Sequence, residues 1–269
     1  MKYTILALDL DGTLTNSEKK ISEKTKDVLT EAMKQGVKVV LASGRPVLGI
    51  QKLADELELS RFGGYILAYN GGQIIDCLSG NVVYESLIPT EYFSEVCGIA
   101  REIKCQPLTY FENKVVAESD TDFYVKKEIF NNSATGLKVE RLDQFMKEPV
   151  PKFMIVGENE QLKRGEREIN ERFQGKLRAF FSESYFLEVV PEGIDKAKSL
   201  DVLAKSLGLT SENVMAIGDG LNDIPMLQYA GLAVAMGNAY PEVKRIADEI
   251  TLTNDEDGVA KAVEKLILQ

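Results

Sequence analysis

Two apolar runs in this chain end in carboxylates. Ile5-Leu6-Ala7-Leu8 leads into Asp9 and Asp11 within "ALDLDGTLTN", and Val214-Met215-Ala216-Ile217 leads into Asp219, with Asn222 and Asp223 just beyond, within "VMAIGDGLNDIPML". Carboxylates at strand ends can attack as nucleophiles, move protons or hold a hard cation. Residues i and i+2 of a strand share a face, so Asp9 and Asp11 point to one place if the extended conformation persists. Gly12 then allows a sharp turn, and an Asx-type turn through Gly12 and Thr13 is the plainer use of the same residues. Two carboxylates a few ångströms apart repel by roughly 4 kcal/mol at an effective dielectric near 20, which a divalent cation offsets. Mg2+ takes oxygen ligands and needs only a few of them from protein.

Two further groups occupy comparable places. Ser43 and Gly44 follow a third apolar run in "VVLASGRP", where a hydroxyl and close backbone N–H groups can meet an anion at the next helix N-terminus. Lys196 heads the helical stretch "KAKSLDVLAKSLG". Alone, such a lysine is ordinarily a solvated surface group. Together the four strand ends offer carboxylates, a hydroxyl, an ammonium and an amide, a set suited to a divalent cation and a phosphoryl group.

The composition removes the main competitors. The 269 residues contain no histidine, which excludes Ser-His-Asp and Cys-His catalysis, phosphohistidine chemistry and His-ligated zinc. Three cysteines, Cys77, Cys97 and Cys105, are irregularly spaced and read as buried free thiols rather than a disulfide framework. A net charge of −10 supplies no basic footprint for nucleic acid or anionic lipid. No charged leader precedes the first strand and no apolar stretch approaches a membrane span, so a cytoplasmic protein without membrane partners is expected.

The elements that must position these groups alternate. After the first strand, "SEKTKDVLTEAMKQG" has apolar residues at helical spacing, Ser22 placed to cap it and Gly36 to end it. "VKVVLA", a helix over 47–58 and "GYILAY" continue a βαβαβ order, and the pattern resumes from Lys196 to the end. An α/β fold is expected: a doubly wound, Rossmann-like parallel-sheet core formed by 1–84 and 189–269. Residues 85–188 mix helices (91–104, 159–173) with alternating strands and are too long for a structureless loop. They read as an inserted α+β domain, with hinges near Ser86–Pro89 and Val189–Glu192. Tyr110, Glu118, Arg178 and Glu183 are polar positions near its strand ends.

"DLDGT", a Ser-Gly-Arg after the second strand, a lysine heading a helix after the insert, and "GDGLND" after the next strand resemble, in that order, the haloacid dehalogenase (HAD) superfamily. "YNGGQI" (69–74) and the large insert resemble its Cof-type sugar-phosphate phosphatases with an α/β (type IIB) cap. The resemblance covers essentially the whole chain. It implies a Mg2+-dependent phosphatase of small phosphorylated metabolites, working through an aspartyl-phosphate on Asp9 with Asp11 as general acid/base. It also implies metal ligation by the Asp9 carboxylate, the Asp11 backbone carbonyl and Asp219, with Asp223 behind them. Phosphate contacts would come from Leu10, Ser43, Gly44, Lys196 and Asn222, and Arg45 and Asn70 become candidates for contacts to substrate or cap. Two departures stand out, Ala197 where the family commonly has glycine and Pro46 after the Ser-Gly-Arg. A sugar phosphomutase of the same superfamily and a receiver-like phospho-accepting module use similar groups; the long insert and "GDGLND" speak against the receiver.

Overall fold

A computed structural model describes residues 2–269. The chain divides into two compact units. One comprises the chain up to Gly44 together with Ile50–Tyr84 and Asp195–Gln269; the other comprises Arg45–Gly49 and Glu85–Ile194.

The first unit is built on an eight-stranded sheet. In chain order its elements are β1 (Ile5–Leu8), α1 (Glu23–Lys34), β2 (Lys38–Ala42), α2 (Val47–Glu56), α3 (Leu59–Phe62), β3 (Tyr65–Ala68), β4 (Gln73–Asp76) and β5 (Val82–Glu85). The insert carries α4 (Phe93–Glu102), β6 (Gln106–Phe111), β7 (Lys114–Ala117), α5 (Phe123–Asn131), β8 (Thr135–Lys138), α6 (Leu142–Phe145), β9 (Phe153–Val156), α7 (Asn159–Arg172), β10 (Leu177–Glu183) and β11 (Phe186–Pro191). The first unit then resumes with α8 (Lys196–Ser206), β12 (Val214–Gly218), α9 (Ile224–Tyr229), β13 (Leu232–Ala235), α10 (Pro241–Ile246), β14 (Glu249–Ile250) and α11 (Gly258–Leu266).

The large sheet has the order β14-β13-β12-β1-β2-β3-β4-β5. From β14 to β3 every pairing is parallel, and β4 returns antiparallel to β3. β1, β3 and β12 are buried along their whole length, as expected of parallel strands covered by helices on both faces. Their sequences are accordingly continuous apolar runs, and the polar residues appear only where the strands stop. Helix starts are marked by side chains: Ser22 accepts from Thr25 N at 3.1 Å, and Asp195 accepts from Lys198 N at 2.7 Å.

The insert is a six-stranded sheet, β10-β11-β9-β6-β7-β8, antiparallel except for β7 with β8. Phe153 and Ile155 of β9 stand opposite Val189 and Leu187 of β11 on the face that packs against α4 and α7 in one apolar core. Phe93 meets Phe153 edge-to-face at 4.9 Å between ring centroids. The sequence pattern puts the insert's end at residue 188 and a hinge at 189–192. Instead β11 stays paired with β10 as far as Pro191, and the unit ends at Ile194. Val189 and Val190 are both buried, so after Glu188 the strand has no polar punctuation before Glu192 and Gly193.

Candidate active site

The chemistry-bearing residues meet where three neighbouring strands stop. β1 lies between β2 and β12, and Leu8 is in register with Leu41 on one side and Ile217 on the other. Asp9, Ser43 and Asp219 therefore leave the sheet at the same carboxyl edge, where open α/β sheets bind ligands. Asp9 N still donates to Ile217 O at 3.1 Å, which holds the nearly buried Asp9 beside β12.

Regular extended structure stops at Leu8, so strand alternation does not relate Asp9 to Asp11 as the sequence suggested. A turn forms instead. Leu10 O accepts from Thr15 N and Thr15 Oγ1, both at 2.9 Å, and Leu14 N donates to Asp9 O at 3.2 Å. The carboxylate of Asp11 meets Lys19 Nζ at 2.8 Å on the exposed side of this turn. Gly12 at its apex has φ +79°, and a Cβ there would stand 2.5 Å from Asp219 Oδ2. Only glycine suits both the dihedral and the close approach.

Lys196, whose local sequence alone would suit a solvated surface group, is buried. Lys196 Nζ lies 2.6 Å from both Asp9 Oδ1 and Asp223 Oδ1, with its side chain 1% exposed. Burial opposes the charge of Lys196, but the Asp223 and Asp9 carboxylates outweigh it and hold the ammonium above the ordinary lysine range. Asp223, fully buried, also accepts Gly220 N at 2.9 Å and Asp219 N at 3.1 Å on its second oxygen. It therefore fixes the turn before α9 by bonding backward onto the loop, rather than capping forward into the helix. Ala197 sits within α8, where alanine is a favourable residue.

Asp9, Asp219 and Asp223 each bring an oxygen to within 4.8 Å of the others. Three carboxylates against one ammonium leave negative charge uncompensated. Burial and the neighbouring Asp223 push Asp9 well above the usual carboxylate range in spite of Lys196, and burial likewise raises Asp219. An all-oxygen, electron-rich donor set of this kind fits a hard divalent cation, which would favour the charged form of both carboxylates.

Ser43 is buried at the end of β2. Its N donates to Leu67 O at 2.9 Å, and its carbonyl accepts from Asn70 N at 3.0 Å. Asn70 stands against Gly44, where a Cβ would lie 3.0 Å from its amide. The next residue, Gly71, has φ +102°, and its carbonyl accepts from Ser199 Oγ at 2.5 Å. The 69–72 loop thus joins the end of β2 to the first turn of α8, which carries Lys196. Of the other expected residues, Leu10 is buried, Asn222 is exposed beside Gly220, and Arg45 donates to Gly49 O at 3.3 Å. In the insert, Tyr110 donates to Glu128 at 2.7 Å and Glu118 is paired with Arg101, so both are engaged within the unit.

Three polar residues of this region are not evident as site residues from the sequence. Thr13 Oγ1 donates to Asp219 Oδ1 at 2.8 Å, Ser199 anchors Gly71, and Asn238 Nδ2 donates to Gly12 O at 2.8 Å. Thr13 lies inside "DLDGT", where its context marks it only as a turn residue. Asn238, in "AMGNAY", repeats the placement of a polar residue just past an apolar strand and was findable on that ground.

A parallel-sheet core with acidic strand ends, a buried lysine and a long insert is the arrangement that the sequence resemblance led one to expect. Residues 6–263 match the family described as haloacid dehalogenase-like hydrolase. The chain belongs to that family, and its class of enzyme is the HAD-type phosphoric monoester hydrolase. It is 35% identical to 5-amino-6-(5-phospho-D-ribitylamino)uracil phosphatase YcsE of Bacillus subtilis (strain 168) over 268 residues, 98% of this chain and 96% of the relative. A haloacid dehalogenase-like hydrolase from Bacteroides thetaiotaomicron shares 48% identity at a TM-score of 0.95, covering 99% of this chain and 100% of its own. A HAD subclass IIB sugar phosphatase shares 27% identity at a TM-score of 0.80, covering 97% and 98%. Among the described residues no helix is long and apolar enough to cross a membrane.

Proposed function

We propose that the protein is a Mg2+-dependent phosphatase that passes the phosphoryl group of small phosphorylated metabolites, sugar phosphates in particular, to Asp9 and then to water. The observation that carries this reading is the buried ammonium of Lys196, 2.6 Å from Asp9 Oδ1. A phosphate dianion approaching a carboxylate is repelled unless positive charge stands beside it, and phosphoryl transfer depends mainly on such positioning and electrostatics. Asp9, Asp219 and the Asp11 backbone carbonyl would hold Mg2+, since both oxygens of Asp223 are engaged by Lys196 and backbone amides. When bound, Mg2+ supplies the remaining positive charge that the nucleophile and the transferring oxygens require.

In the first half-reaction an Asp9 oxygen bonds to phosphorus as the bond to the leaving oxygen breaks, and Asp11 gives that oxygen its proton. In the second, Asp11 takes a proton from a water whose oxygen attacks phosphorus. The Asp9–phosphate bond then breaks, which restores the carboxylate and releases inorganic phosphate. Asp11 must exchange Lys19 for these partners; an exposed ion pair contributes little and is easily given up. Leu10 N–H, Ser43, Gly44 N–H, Lys196 and Asn222 would bind the phosphate oxygens, and Arg45 and Asn70 would meet the rest of the substrate.

Sugar phosphates are favoured because one relative is named for a phospho-D-ribityl substrate and one structural neighbour is described as a sugar phosphatase. The same likeness supports reading the insert as a cap of type IIB. The test is a phosphate-release screen over phosphorylated sugars, nucleotides and cofactors with Mg2+, run with wild type, Asp9→Asn and Asp11→Asn. Turnover confined to wild type is expected, and wild-type turnover in either variant overturns the mechanism. An isomerised sugar phosphate without net phosphate release would identify a mutase instead.

A further inference from the structure

Asn238 lies just past β13, and its side chain joins three separate segments. Its Nδ2 donates to Gly12 O at 2.8 Å and reaches Asp219 Oδ2 at 3.5 Å, while its Oδ1 accepts from Asn254 N at 3.0 Å. A backbone N–H can only donate, so this network fixes which way the amide points. Asn254 in turn sends its own Nδ2 to Thr15 O at 3.0 Å. The turn that carries Asp9 and Asp11 is therefore tied at two carbonyls, Gly12 and Thr15, to the segments after β13 and β14.

Asp219 accepts from Thr13 Oγ1 at 2.8 Å on Oδ1, and its Oδ2 faces Asn238 Nδ2 at 3.5 Å, close enough to be oriented and loose enough to take another partner. A Cβ on Gly12 would stand 2.5 Å from Asp219 Oδ2, so the two approach more closely than a residue with a side chain allows. Remove the amide between them, and a carbonyl oxygen and a carboxylate face one another without a donor to bridge them.

We infer that Asn238 is a positioning residue for the phosphatase reaction, holding the Gly12 peptide against Asp219 so that Asp9 and Asp219 keep the spacing at which they act together. This inference rests on the roles proposed above for Asp9 and Asp219. Asn238 is exposed, so its truncation removes hydrogen bonds without opening a core cavity. The effect on the fold should be small and local, and the effect on the site large.

The test compares wild type with Asn238→Ala and Asn238→Asp. Asn238→Asp keeps an acceptor for Asn254 N–H but loses the donor to Gly12 O. Steady-state kinetics on p-nitrophenyl phosphate should show kcat at least tenfold lower in both variants, with KM changed less than about threefold. Titration of the thermal midpoint with Mg2+ should show half-saturation for Asn238→Ala shifted several-fold upward, while its midpoint without Mg2+ stays near that of wild type. Unchanged kcat and unchanged Mg2+ half-saturation overturn the inference. So does a variant whose metal-free midpoint falls steeply while its Mg2+ response is normal, because that is a purely structural residue. If wild type shows Mg2+-dependent stabilisation but no phosphatase turnover, the proposed function fails, and the Mg2+ titration still decides the role of Asn238.

Discussion

Lys196 Nζ and Asp223 Oδ1 stand 2.6 Å apart with their side chains 1% and 0% exposed. Charges so deeply buried are costly unless every polar atom around them is engaged. Asp223 meets that condition by accepting two backbone N–H groups on its other oxygen, and Lys196 by bonding Asp9 as well. The pair links the start of α8 to the turn before α9, and so sets where the ammonium stands relative to Asp9.

Replacing this lysine should be severe for stability as well as activity. Lys196→Met keeps the bulk but leaves the carboxylates of Asp9 and Asp223 buried without their counter-charge. Removing one partner of a buried pair costs about 3–5 kcal/mol. Urea denaturation at neutral pH should show a loss of that order, and phosphate release should fall below measurement. A variant as stable as wild type would mean that the ammonium is not the charge that balances this cluster.

Gly12→Ala should damage the site through geometry alone. The left-handed dihedral costs an L-residue about 1–2 kcal/mol. The new methyl would also stand 2.5 Å from Asp219 Oδ2, so either the turn or Asp219 must move. We expect kcat to fall by about two orders of magnitude, on the ground that a misplacement near 1 Å at a reacting centre can cost that much. Circular dichroism should remain that of a folded protein. Near-normal turnover would show that the Asp219 position tolerates displacement.

Much of the site is legible in the sequence, for a physical reason. Strands buried on both faces must be apolar throughout, so Asp9, Ser43 and Asp219 can be placed at strand ends by the abrupt change in residue type. The burial of Lys196 is not legible, because a lysine at a helix start has the same local sequence whether water or two aspartates surround it. Nor is the relation of Asp9 to Asp11, since the strand stops at Leu8 and hydroxyl and amide bonds to Leu10 O shape the turn beyond it. Thr13 with Asp219, and Asn238 with Gly12, are partners more than 200 positions apart that only the parallel register brings together. The insert's end escapes a sequence reading for a related reason, since after Glu188 the run Val189-Val190-Pro191 gives no polar signal before Glu192.

Metal removal should register in stability as well as in turnover. A cation that binds the folded site and not the unfolded chain stabilises by about 2.7 kcal/mol when present at 100 times its dissociation constant. For a chain of this size class that corresponds to several degrees, at roughly 2–4 °C per kcal/mol. Chelation with EDTA should lower the thermal midpoint by that amount, and Mg2+ should restore it. Asp219→Asn should be insensitive to both additions. A midpoint indifferent to Mg2+ in wild type would remove the carboxylate cluster as a cation site.

The insert supplies a pH test independent of the site. Arg101 bonds Glu118 through both Nε (3.0 Å) and Nη2 (2.6 Å) and also bonds Asp143, which is held by Arg141 at 3.0 Å as well. Burial works to raise the two carboxyl groups, but for Glu118 the Arg101 guanidinium and Leu142 N–H outweigh it, and for Asp143 Arg141 and Arg101 do. Both are thereby held below their ordinary range. A carboxylate whose folded pKa is depressed adds stability that is fully present above its unfolded pKa and is lost as pH falls through the folded value. Arg101→Met should therefore destabilise the protein most at neutral pH, because it leaves Glu118 and Asp143 side by side with only Arg141 to balance them. The gap between wild type and variant should narrow as pH drops below about 4, where unfolded carboxylates take up protons. Urea midpoints measured across pH 3 to 8 would show this convergence, and a gap constant with pH would mean that Arg101 contributes packing rather than charge.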